Sequence, residues 1–66
     1  MVRYIKVKYW DSYKLYTYTT DDASVKEGDF VVVIRSSEAT VAHVEKVDVE
    51  QPEFKCNPIV AKIVLE

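Results

Sequence analysis

The chain contains a single glycine, and that glycine opens its most apolar segment. Val25-Lys26-Glu27-Gly28-Asp29 leads directly into Phe30-Val31-Val32-Val33-Ile34. Gly28 takes a positive φ at little steric cost, and Asp29 is able to bond backbone amides beside it, so the pair reads as a structural turn. The apolar run after it is too continuous to alternate. It predicts a central strand buried on both faces.

Period-two patterning predicts strands on either side of this one. Along Val2 to Trp10, Ile5, Val7 and Tyr9 form a core face, and Tyr4, Lys6, Lys8 and Trp10 form a half-exposed one. Asp11 to Lys14 supplies turn formers. Leu15 to Thr20 is β-branched and aromatic, which predicts a second strand antiparallel to the first. Arg35 to Ala39 reads as a polar hairpin connection into a strand over Thr40 to Val49. There the apolar phase switches at Glu45-Lys46, as a β-bulge would require. A helix over residues 38–47 also fits the spacing of Val41, Val44 and Val47, but a segment this rich in valine disfavours it. Glu50 to Pro58 is a long connection with Phe54 as its tether to the core. Ile59 to Leu65 closes the set, with Ile59, Ala61, Ile63 and Leu65 on one side. The expected fold is all-β, a small five-stranded SH3-like barrel forming a single domain over 1–66, with an OB-like barrel as the alternative.

A chain of 66 residues lies near the lower size at which an apolar core suffices. The usual supplements are missing. Cys56 is the only cysteine and His43 the only histidine, so neither an internal disulfide nor a structural zinc site is available. Dense packing or self-association must compensate. A lone thiol and the lack of a signal-peptide pattern predict a cytoplasmic setting. No stretch approaches the run of about 18–20 apolar residues that a membrane helix needs.

The net charge of −2 is unevenly spread. Residues 1–20 hold Arg3, Lys6, Lys8 and Lys14 against Asp11 alone, whereas residues 21–66 carry five basic and ten acidic side chains. An acidic whole disfavours a general nucleic-acid coat, but the first third keeps a local basic, aromatic character. If the first two strands pair, Lys6, Lys8, Trp10, Lys14, Tyr16 and Tyr18 form a candidate binding ribbon. Such a ribbon suits a protein partner, or single-stranded nucleic acid stacked on the rings. The structural alternative is that Tyr16 and Tyr18 pack across the strands on Tyr4 or Trp10.

Catalytic chemistry has little to work with. One glycine cannot build a phosphate-cradling loop, and a Cys–His nucleophile would need His43 and Cys56 to meet. Asp21, Asp22, Glu27 and Asp29 lack calcium-loop spacing and read as a solvated acidic turn. The expectation is no enzyme, no cofactor and no metal.

The pattern Leu15-Tyr16-Thr17-Tyr18, Val25 to Val33 and Ala42-His43-Val44-Glu45-Lys46-Val47 resembles small phage and prophage proteins. These share a Tyr-x-Tyr strand, a Gly-Asp turn, a valine strand and a closing Val-x-x-Val strand. More faintly, it is similar to the N-terminal DNA-end-binding barrel of the primosomal helicase. The Pro-Phe-Gly following the valine strand of that domain is replaced here by Ile34-Arg35-Ser36, and no site residues carry over. The phage resemblance implies an accessory protein that docks on a protein partner in the host cytoplasm, with homo-oligomerisation through open strand edges as a further option.

Overall fold

The computed structural model describes residues 2–64. Five strands run in chain order as β1 (Arg3–Lys8), β2 (Leu15–Thr20), β3 (Phe30–Arg35), β4 (Glu38–Lys46) and β5 (Ala61–Ile63). They form one sheet in the order β2-β1-β4-β3-β5, and every neighbouring pair is antiparallel. The fold is all-β. The segment weighed as a helix is β4, whose alternation buries Ala42 and Val44.

The ladder does not close on itself. Among the described residues its two ends meet at a parallel bridge between Thr19 and Pro58. There Thr19 N donates to Asn57 O at 3.0 Å, and Ile59 N donates to Thr19 O at 2.9 Å.

Inward-facing side chains follow the strand parity. Ile5, Val7 and Tyr9 from the first strand segment meet Tyr18, Val31, Val33, Ala42 and Val44, with Val25 added from the loop before β3. Ile59 and Val47 pack against this cluster from its margin. The predicted core face of the first strand is therefore the observed one.

β3 departs from its expected two-sided burial. Val31 and Val33 are fully buried, but Phe30 is 37% and Ile34 51% exposed. The reason is architectural: among the described residues there is a single sheet, and no second layer covers its outer face. The same cause moves Ala61 and Ile63, which lie opposite Val32 and Phe30 and so share their outer face rather than the core. Phe54 is 63% exposed and does not tether the long connection. Leu65, expected on the closing strand, lies outside the described residues.

The β3–β4 connection is tighter than the expected five-residue connection from Arg35 to Ala39. Arg35 already pairs with Glu38, leaving Ser36 and Ser37 as a two-residue turn with φ of 51° and 68°. Positive φ at both central positions matches the twist of the flanking strands. The bulge expected at Glu45-Lys46 is present. Lys6 lies opposite Lys46 whereas Val7 lies opposite Val44, so β4 carries one extra residue between them.

Polar contacts hold the loops to the sheet. Arg3 bonds both carboxylate oxygens of Asp48, at 2.8 and 3.3 Å, and donates to Asp22 O at 2.7 Å. Lys62 Nζ reaches Ser24 O at 3.1 Å and the Asp29 carboxylate at 3.4 Å. This lysine thus leaves β5 to pin the acidic loop.

Gly28 and Asp29 lie in a turn whose backbone extends the sheet. Gly28 has φ of 93°, and its N–H donates to Val44 O at 3.0 Å. Val44 N donates in turn to Asp29 O at 2.8 Å, and the Asp29 carboxylate accepts from Lys26 N at 2.9 Å. That last bond, with Lys62 behind it, holds the Asp29 carboxyl below its ordinary range. A Cβ built on Gly28 meets nothing within 4 Å, so only backbone strain opposes substitution. Gly28→Ala is expected to lower unfolding free energy by about 1–2 kcal/mol in urea titration, with the far-UV spectrum unchanged.

Candidate functional site

Residues directly opposite in antiparallel strands point to the same side of a sheet, so register decides which candidates meet. Tyr16 lies opposite Val7 and Tyr18 opposite Ile5. Both tyrosines therefore lie on the core side of the sheet, Tyr18 buried and Tyr16 exposed at its margin, away from Lys6 and Lys8, whose β2 neighbours are Thr17 and Leu15. The expected ribbon is divided. Lys6, Lys8 and Trp10 belong to the outer side of β1 and its extension, and Lys14 belongs to the β1–β2 loop, exposed to solvent. Nor do the tyrosines stack on Tyr4 or Trp10. Their partner is Tyr9.

Tyr9 is the centre of an inward polar cluster. Its ring lies 4.9 Å from that of Tyr16, tilted by 46°, and its hydroxyl bonds the Tyr18 hydroxyl within the core. The Arg35 guanidinium covers the Tyr9 ring at 4.2 Å from the centroid and donates to Asp11 Oδ1 at 2.9 Å. The bond to Asp11 raises the Arg35 pKa further, so the cation is permanent. Burial first, and the bond to Tyr18 second, push the Tyr9 phenol above its ordinary 10.0. This cluster closes one end of the core.

The outer side of the sheet gathers a different set. Lys6 lies opposite Lys46, and Lys8 opposite His43. His43 lies opposite Phe30, their rings edge to face at 5.2 Å. Beyond them Val41 pairs with Val32, and Ala39 with Ile34. A shallow groove of about 440 Å³ runs along this side, bounded by Lys8, Trp10, Phe30, Val41, His43 and Glu45. Trp10 is 87% exposed at its rim. His43 Nδ1 is hydrogen-bonded to Glu45 Oε2, which fixes the imidazole against the β4 surface.

Sequence reasoning placed Lys6, Lys8 and Trp10 on this surface but missed Phe30, Val32, Ile34 and Val41. A signal was present. An unbroken apolar run in a strand sends apolar side chains to both faces of the sheet, whichever of them the fold covers.

His43 borders the outer groove, whereas Cys56 borders a separate one beside β2 with Leu15 and Phe54. Among the described residues, no group of three or more His, Cys, Asp or Glu side chains is placed to hold a metal ion. No helix there is long and apolar enough to cross a membrane. Comparison with protein-family models, with characterised proteins and with solved structures finds no match.

Two outcomes test the Tyr9 cluster. Tyr18→Phe leaves the buried Tyr9 hydroxyl without its partner and is expected to cost about 1–3 kcal/mol in urea unfolding; Tyr9→Phe/Tyr18→Phe should cost less than that single change predicts. Because the folded state raises the Tyr9 pKa, its contribution is complete below the unfolded value and is lost as pH rises toward the folded one. Urea midpoints should therefore decline from about pH 10 upward, and less steeply in Tyr9→Phe.

Proposed function

We propose that the chain is a small non-enzymatic binding module that acts through protein–protein interaction. The observation that carries this reading is the apolar outer face, with Phe30, Ile34 and Val41 between about a third and a half exposed and Trp10 almost wholly so. On the outer face of an antiparallel sheet, polar residues are the ordinary choice; contiguous apolar ones mark a contact surface. Trp10 at the rim adds the residue type most enriched among interface anchors.

In architecture, an SH3-like barrel is the plan that best accommodates five short strands whose sheet ends approach at Thr19 and Pro58. It is preferred to an OB-like barrel because no helix occurs among the described residues. Taken with the resemblance to phage and prophage proteins, this suggests an accessory factor working in the host cytoplasm.

One observation favours a second reading, single-stranded nucleic acid. Lys6, Lys8 and Lys46 converge at one end of the same face, near Trp10 and Phe30. The loss of Tyr16 and Tyr18 from that face removes much of the stacking platform and leaves protein binding ahead.

The test uses tagged chain as bait in bacterial lysate, with Val41→Glu as the paired control. A partner recovered in stoichiometric amount by the wild type and lost with Val41→Glu is the expected result. Saturable binding to single-stranded oligonucleotides at about 50 mM salt, with no protein recovered, would instead establish the second reading.

A further inference from the structure

We infer that the free edge of β2, from Leu15 to Thr17, takes an extended acidic segment of a partner protein as an added strand. This edge is separate from the outer β3–β4 face and does not depend on it.

Backbone direction defines the site. In an antiparallel pair, successive residues turn their N–H and C=O groups alternately toward the neighbouring strand and away from it. Thr19 turns both groups away from β1, since its N–H donates to Asn57 O and its C=O accepts from Ile59 N. Tyr4, opposite Thr19, agrees: its C=O accepts from Val49 N on the far side of β1. Counting back by two, Thr17 and Leu15, opposite Lys6 and Lys8, also turn their groups outward. Unlike Thr19, they meet no backbone partner there among the described residues. The bridge at Thr19 does not continue along β2. A groove of about 220 Å³ opens instead, with Leu15 and Thr17 on one wall and Phe54, Lys55 and Cys56 on the other. Outward donors and acceptors on alternate residues are the complement of an extended backbone.

The composition of β2 leaves this edge unguarded. Exposed edges are ordinarily blunted by charge, proline, a bulge or short length. β5, at the other end of the sheet, has three residues with Lys62 at its middle. β2 is a six-residue run of Leu, Tyr and Thr, and its ladder with β1 has no register shift.

Charge selects the occupant. Lys55 is the charged residue of the groove wall, Lys14 stands exposed just before Leu15, and Lys6 and Lys8 flank the edge from β1. Neighbouring acids do not offset them, because Asp11 is held by Arg35 and Glu53 is not on the wall. An acidic strand is therefore attracted here. A second copy of β2 would bring Lys14 and Lys55 of both chains together, like charge against like. A nucleic acid lacks the alternating amide donors and acceptors that the edge requires.

Selection from a displayed library of random decapeptides, followed by amide hydrogen exchange on the full chain, tests the inference. In the free chain the Leu15 and Thr17 amides are expected to exchange faster than those of Tyr16 and Tyr18. Selected peptides should be rich in Asp and Glu, and at saturation they should slow Leu15 and Thr17. N-methylation of alternate peptide amides should weaken binding at least about tenfold in one register and little in the other. Thr17→Pro removes an outward N–H and no ladder bond, so it should weaken binding while keeping the wild-type circular dichroism spectrum. The methylated peptides decide the question if that variant does not fold. Val41→Glu, on the outer face, should leave binding unchanged. Protection of Leu15 and Thr17 in the free chain, failure to select any peptide, or indifference to N-methylation overturns the inference. A peptide lost with Val41→Glu also overturns it, while leaving the proposed function standing. Protection that rises with the concentration of the chain alone overturns it too, since the edge then pairs with a second copy.

Discussion

Everything in this fold depends on one strand bending. In the five-strand ladder β4 stands between the β1–β2 hairpin and the β3–β5 side of the sheet, and it must pair with both. Its first part runs flush against β3 from Glu38 to His43, and its last part against β1. The extra residue at Glu45 allows this by increasing the local twist and re-aiming the strand beyond it. Without it, the side chains beyond Val44 would exchange faces, because strand parity tolerates no one-residue slip. The bend also brings the chain back to β1, where Val49 N donates to Tyr4 O at 2.9 Å and Asp48, at φ of 53°, meets Arg3.

Much of this architecture was legible locally. Period-two alternation identified β1 and β2 with their faces, a lone Gly-Asp pair identified the turn before β3, and a change of apolar phase identified the bulge. Each of these signals is carried by a few consecutive residues. The errors share a different origin. Whether Tyr16 and Tyr18 face the lysines depends on the β1–β2 register, and whether Phe30 and Ile34 are buried depends on a second layer. Neither quantity is encoded in the spacing within a strand. Phe54 was misplaced for the same reason: an aromatic between two prolines suggests an anchor, but only tertiary contact decides it.

The Tyr9 cluster shows how a small core accommodates polar atoms. Two phenol groups enter the interior as a pair, so their hydroxyls share a hydrogen bond and neither is left without a partner. Arg35 then covers the outer side of the Tyr9 ring with a cation already held by Asp11. Arg35 stands at the end of β3 and Asp11 just beyond β1, so their contact also ties the two halves of the sheet, at the end opposite the Arg3–Asp48 pair. The lysine-poor interior and the charged margins are parts of one arrangement.

The remaining asymmetry concerns β3 itself. Five consecutive apolar residues make a strand prone to pairing with other chains, and the sequence restrains that hazard with Asp29 before it and Arg35 after it. The fold restrains it further, since β3 is hydrogen-bonded on both sides, by β4 along its full length and by β5 over three residues. Its backbone is thus paired on the β4 side throughout and on the β5 side from Phe30 to Val32, and Val31 and Val33 are withdrawn into the core. The outward row of Phe30, Val32 and Ile34 keeps its apolar side chains on the face that no second layer of described residues covers, so the pairing that guards the backbone of this strand does not guard its outer side chains.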